Sequence, residues 1–113
     1  MPRFEFKGKF FNNPVELALF VFGGRWKMPI LWRLKERAWR YSELNKSLGK
    51  VTHKMLSQQL KELERDGLIN KKIFASVPPR VEYSLTKRGK SVIPLINKLR
   101  DWGIKFKEEE ENK

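Results

Sequence analysis

The side chains best placed to do chemistry lie between Thr52 and Asp66, where Lys54, Gln58, Lys61 and Arg65 recur at intervals of three and four. On a helix turning about 100° per residue they share one side, with Ser57 and Met55 at its edges. Leu56, Leu60 and Leu63 gather on the opposite side, within about a sixth of the circumference, as a buried stripe does. Cations, amides and hydroxyls on one exposed helical face suit a polyanion that also presents hydrogen-bonding edges. Duplex DNA is such a ligand: its major groove admits an α-helix, glutamine pairs with adenine edges, arginine and lysine with guanine, and serine with either. Bases are usually met by the first half of such a helix. Thr52, Lys54, Ser57 and Gln58 are therefore the expected groove residues, and Lys61 is expected closer to phosphate. His53, the single histidine, lies on the flank toward the apolar side, where a partly buried cap residue and a DNA contact are both open to it. Arg65 can simply pair with Glu62 or Asp66.

That face needs elements to hold it. Thr52 is a good N-cap for its helix and Gly67 a good stop. Ahead of it a short helix is expected from Ser42, as N-cap, to Leu48, with Leu44 and Leu48 on one side and Gly49-Lys50-Val51 as the turn between the two helices. After Gly67 the apolar period drops from about 3.6 to about 2. Leu68–Phe74 reads as a strand, Val77-Pro78-Pro79 as a turn and Arg80–Leu85 as a returning strand. This basic hairpin has the length of a wing, and Lys71, Lys72 and Arg80 can reach phosphates or the minor groove from it. Arg40 and Lys46, before and within the short helix, are further phosphate candidates.

The flanking segments carry an unusual apolar load. Asn13-Pro14 opens a helix, with Asn as N-cap, Pro at the first position and Glu16 where a capping-box acid belongs. Val15–Phe22 is apolar on nearly every side, so it must be covered all round, and a second copy of the chain is the expected cover. Gly23-Gly24 ends it. A second helix is expected from Trp26 to Leu34, with Pro29 in its first turn, Ile30, Leu31 and Leu34 as its stripe, and Trp26 and Trp32 as packing residues. Thr86 is expected to cap one last long helix reaching Phe106, bent by Pro94 within it. Val15, Leu19, Phe22, Leu95, Leu99, Trp102 and Phe106 make up the expected dimer interface. The fold class is α+β, mostly α: a winged helix-turn-helix with extra N- and C-terminal dimerisation helices. Residues 1–12 form an arm in which Phe4, Phe6, Phe10 and Phe11 alternate with Arg3, Lys7 and Lys9, as a short strand or a flexible segment. Residues 13–106 form the domain, and 107–113 a solvated acidic tail.

Composition agrees. In 113 residues, 25 Lys and Arg face 13 Asp and Glu, a net charge of +12 although four of the acids are the single run Glu108–Glu111. Such an excess draws polyanions, because neutralised phosphates release condensed counterions. The length allows one domain core. Cysteine is absent, which excludes disulfides, thiol chemistry and cysteine-ligated zinc and fits a reducing cytoplasm. No stretch approaches the roughly 20 apolar residues of a membrane span, and the N-terminus has no signal-peptide pattern. One histidine, no Gly-rich phosphate loop and no carboxylate cluster outside the tail leave no catalytic pair, metal site or cofactor to expect. The rival to a DNA regulator is a winged helix reused for RNA or protein interaction.

At these residues the chain resembles the HxlR-type branch of the MarR-like winged-helix regulators, known from bacteria. The matching runs are Asn13-Pro14-Val15-Glu16-Leu17, Gly23-Gly24-Arg25-Trp26-Lys27 with Ile30-Leu31, and Arg40-Tyr41-Ser42-Glu43-Leu44. They continue in Thr52–Leu60, Leu63–Leu68, Val77–Thr86 with Gly89, and Trp102-Gly103, covering residues 12–103 in order. The resemblance implies a dimeric DNA-binding regulator whose first and last helices build the dimer, acting as repressor or activator near its own gene. It also implies a bend at Pro94. Well-known members of the family sense oxidants through a cysteine immediately before the proline of the first helix. That position is Asn13 here, so any effector must act otherwise. A small molecule between the dimer helices and the DNA-binding lobe is one route, with Trp32, Trp39, Phe22 and Trp102 as candidate lining, although core packing suits each of them better.

Overall fold

The computed structural model describes residues 4–113, so Arg3 and the two residues before it in the expected arm lie outside the described residues. Of the two readings open for this segment, the strand is the one observed. β1 (Phe4–Phe6) and β2 (Lys9–Phe11) pair antiparallel around Lys7-Gly8. The Phe11 ring packs 5.4 Å from that of Phe20 and anchors the hairpin to the first helix.

α1 (Pro14–Phe22) starts as its cap predicts: Asn13 Oδ1 accepts from the Glu16 backbone N–H at 2.9 Å. The return bond of a capping box is displaced by one residue, since Glu16 accepts from the Asn12 side-chain amide at 3.1 Å. Gly23 N–H then closes the last turn on Leu19 O at 2.7 Å, an approach that leaves no room for a Cβ. α2 (Lys27–Arg33) follows, with Pro29 in its first turn, where a missing N–H costs nothing. Ile30, Leu31 and Leu34 are buried as expected, and Trp26 and Trp32 pack half-buried against the core.

A two-residue strand absent from the sequence reading, β3 (Trp39–Arg40), leads into α3 (Tyr41–Leu48). Ser42 is not the N-cap of this helix. The Arg40 backbone N–H donates to Glu43 Oε1 at 2.8 Å, which moves the cap to Arg40 and leaves Ser42 inside the first turn. α4 (His53–Arg65) is capped by Thr52, whose Oγ1 accepts from Met55 N–H at 3.0 Å. Gly67, at φ 74°, takes the left-handed step that turns the chain out of it. β4 (Ile69–Phe74) and β5 (Arg80–Leu85) form the wing, and β5 is central in the sheet order β3-β5-β4.

The expected single C-terminal helix is two. α5 (Lys87–Lys90), capped by Thr86 Oγ1 on Gly89 N–H at 3.0 Å, stops at Ser91-Val92, and α6 (Ile93–Glu111) begins there. Pro94 sits in the first turn of α6 instead of bending a continuous helix. It has no N–H to give the Lys90 carbonyl, and its ring would collide with it, so the break falls just ahead of the proline. α6 also runs past Phe106 to Glu111, so most of the expected acidic tail is helical, with Lys107 Nζ 3.0 Å from Glu111 Oε1.

One core joins these elements. Leu44, Leu56, Leu60, Leu63 and Leu68 fill its centre, with Ile30 and Leu31 from α2, Tyr83 and Leu85 from the wing and Ile96 from α6. Phe22 belongs to it too, only 8 % exposed. It was expected at the dimer interface but closes the core of its own chain, because it is on the inner side of α1 beside the Gly23 turn.

Candidate nucleic-acid interface

The three leucines of α4 are buried, which fixes the helix rotation and turns Lys54, Gln58 and Lys61 to solvent. Thr52 is exposed, but its hydroxyl already serves as the cap. Ser57 is half-buried, with Oγ 3.3 Å from the Tyr41 hydroxyl. That hydroxyl also lies 3.1 Å from His53 Nδ1, and the two rings stack at 5.9 Å. His53 is thus an exposed residue held by Tyr41, not a buried cap. Tyr41 was missed in the sequence, because nothing there announces an aromatic that reaches a serine sixteen positions further on in the next helix.

Arg65 is occupied: it makes two hydrogen bonds to the Asp66 carboxylate, at 3.1 and 3.0 Å. Gln58 donates from Nε2 to Glu62 Oε2 at 3.2 Å. Glu62 Oε1 in turn meets the buried Lys27 ammonium at 2.8 Å. The hydrogen bond from Lys27 holds the Glu62 carboxyl below the usual carboxylate range. Glu43 is likewise held low, first by the Arg40 backbone N–H.

The wing residues divide by the strand pleat, since neighbours on a strand face opposite ways. Lys71 stands opposite Tyr83 and faces the helices. With Arg40, Tyr41, Ser42, Ser57 and Arg80 it lines an open cleft of about 690 Å³ between α3, α4 and the wing. Lys72 is on the outer face, over the Phe74 ring at 4.9 Å. Arg80 is half-buried: its guanidinium lies 4.1 Å from the Phe74 centroid, and Nε is 3.0 Å from Glu82 Oε2 without the angle of a hydrogen bond. It is the least available of the expected wing cations. Arg40 and Lys46 are exposed at the two ends of α3.

On α1 and α6, Val15, Leu19, Leu95, Leu99, Trp102 and Phe106 are all half to two-thirds exposed, from 50 to 68 %. Trp102 stacks on Phe106 at 5.2 Å. The four aromatics considered for an effector cleft do not converge. Trp32 and Trp39 line one open cleft of about 460 Å³ with Arg33, Lys35, Glu36 and Arg37, whereas Phe22 is in the core and Trp102 on the exposed side of α6.

A family model described as HxlR-like helix-turn-helix matches residues 21–111, from the end of α1 to the end of α6. The chain belongs to the HxlR-like helix-turn-helix family. An HTH-type transcriptional regulator of Methanothermobacter thermautotrophicus is 47 % identical to this HxlR-like chain over 98 residues, covering 87 % of the chain and 75 % of the relative. A crystal structure of a MarR-family transcriptional regulator from Porphyromonas gingivalis shares 41 % identity and a TM-score of 0.76, covering 80 % of this chain and 89 % of that one. The redox regulator HypR in its reduced form shares 35 % identity and a TM-score of 0.82, over 89 % of this chain and 100 % of that one. The winged helix-turn-helix fold and the coarse role of transcriptional regulator follow for the HxlR-like chain. The relatives come from archaea and bacteria alike. None of its described helices is long and apolar enough to cross a membrane.

Proposed function

We propose that the protein regulates transcription as a homodimer that binds duplex DNA in a sequence-specific way. In this reading α4 enters the major groove, with Lys54, Ser57 and Gln58 toward bases and Lys61 toward phosphate. The wing lies on the backbone or minor groove, with Lys71 in the cleft beside α4, and Arg40 meets phosphate ahead of α3. The observation that carries the reading is the exposed Lys54–Gln58–Lys61 face backed by three buried leucines. A duplex RNA partner fits less well, because the A-form major groove is too deep and narrow to admit a helix.

Dimerisation is supported by area. A compact chain of this length would expose about 6,500 Å², whereas this one exposes 8462 Å². The radius of gyration, 16.4 Å, likewise exceeds the roughly 13 Å of a compact domain of this size. Part of that surface is the exposed apolar side chains of α1 and α6, Val15, Leu19, Leu95, Leu99, Trp102 and Phe106, and a stable interface removes about 800 Å² per partner or more.

The test is to select bound duplexes from a random pool and to titrate the winners against a scrambled duplex at fixed salt. Preference for the selected duplex by about a thousandfold or more is expected. Equal affinity for both would overturn the reading.

A further inference from the structure

Lys27 is the one buried charged side chain among the described residues, 5 % exposed at the start of α2. Burying an ammonium is costly unless it is paired and hydrogen-bonded. Its partners explain why it is there. Nζ donates to Phe20 O, among the last carbonyls of α1, at 3.4 Å, and lies 2.8 Å from Glu62 Oε1 on α4. The other oxygen of that carboxylate, Oε2, accepts from Gln58 Nε2. An unbroken polar chain therefore runs from the interior to the one glutamine amide proposed to read a base.

We infer that Lys27 is a positioning residue for sequence preference, fixing the Gln58 amide through Glu62. The inference rests on the proposed DNA-binding role of α4. A carboxamide can present oxygen or nitrogen at either end, and its preference for adenine depends on which atom faces which. A carboxylate accepts only, so Glu62 selects the nitrogen end of Gln58 and leaves Oε1 and the second N–H for the base edge. Glu62 holds that place only while its own charge is anchored. With Lys27 gone the carboxylate is at liberty to leave Gln58, and the amide turns freely. Because the effect acts through one amide, it falls on one base pair and leaves phosphate contacts untouched.

The test measures binding of the wild type, Lys27→Met, Glu62→Ala, Gln58→Ala and the double variant Lys27→Met/Gln58→Ala. Each is titrated on the selected duplex, on its three variants at the base pair where Gln58→Ala loses discrimination, and across a salt series. Lys27→Met and Glu62→Ala are expected to lose roughly tenfold of the preference at that base pair only, with an unchanged salt slope. In the Gln58→Ala background, Lys27→Met should change the preference no further. Glu62→Ala keeps the proposal testable if Lys27→Met does not fold, since Glu62 is partly exposed. A selective wild type beside variants of unchanged preference at that position overturns the inference alone. So does a loss spread evenly over all positions, the mark of a merely structural lysine. A wild type with no duplex preference overturns the DNA-binding reading and the inference together.

Discussion

At the scale of single residues, the outward face of α4 was legible because three leucines at i, i+4 and i+7 set its rotation. Gln58 on that face and Lys71 on the wing should separate in function. Gln58→Ala is expected to relax preference at one base pair by about 1–3 kcal/mol, whereas Lys71→Ala should weaken binding to every sequence and lower the salt slope by about one. Lys72→Ala should do less, since the pleat turns Lys72 away from the α4 cleft. Duplex titrations over a salt series check all three. Lys27 was not legible in the same way, because a lysine at the start of an amphipathic helix reads as solvated until its partners on α1 and α4 are known. Its pair with Glu62 has a consequence for stability. The folded Glu62 carboxyl is held below its ordinary value near 4.5, chiefly by the Lys27 hydrogen bond. The stabilisation is therefore full above that value and is lost as pH falls through the lower, folded one. Thermal melts between about pH 6 and pH 2.5 should show a shallower acid limb for Glu62→Gln than for the wild type. An identical limb would remove Glu62 from the acid response and leave it to other carboxylates such as Glu43, which is also held low.

At the scale of elements, caps and stops were the readable features and tertiary contacts the hidden ones. Asn13, Thr52, Gly67 and Thr86 act where they were expected, because a cap is a local bargain between one side chain and one backbone group. The start of α3 moved by two residues because Glu43 reaches back to Arg40, and β3 was missed because two residues pairing with Tyr83 and Glu82 carry no periodicity. The proline of the last segment was recognised as a disturbance but placed in the wrong role, since nothing local distinguishes a bend from a break. Gly89 was not singled out for its packing, yet a Cβ there would collide with Leu68 O, so only glycine lets α5 lie this close to the chain entering β4. Thr52→Ala removes the side-chain acceptor that caps the N-terminus of α4 and should cost about 1 kcal/mol of stability. Denaturant unfolding measures this as a lower midpoint at an unchanged slope. DNA affinity should fall by a similar modest factor on all sequences, because the helix that frays is the one proposed to enter the groove.

At the scale of the whole molecule, the decisive fact is that α1 and α6 keep apolar side chains in water although the core is already complete. The all-round apolarity of the first helix signalled this in the sequence, but the division of labour around it did not. Phe22 points inward and seals the core, while Val15 and Leu19, at 67 and 53 % exposed, point away from it. On α6, Ile96 is buried, and Leu95, Leu99 and Trp102 stay open. A carboxylate placed in the outward set therefore tests association without touching the fold. Leu19→Asp combined with Leu99→Asp should leave helicity and the melting temperature of the isolated chain nearly unchanged, because neither residue packs in the core. Light scattering should then report one chain where the wild type gives two. Binding to a two-half-site duplex should weaken by about 10²–10⁴-fold, since the second half-site is no longer met at the high effective concentration that tethering supplies. Affinity for a single half-site should stay as it was. Moving the half-sites away from about one helical turn, roughly 34–36 Å, should penalise the wild type and leave the double variant indifferent. If the double variant remains a dimer with full affinity, the apolar faces of α1 and α6 have some other partner, and the symmetry assigned to the operator has to be abandoned with them.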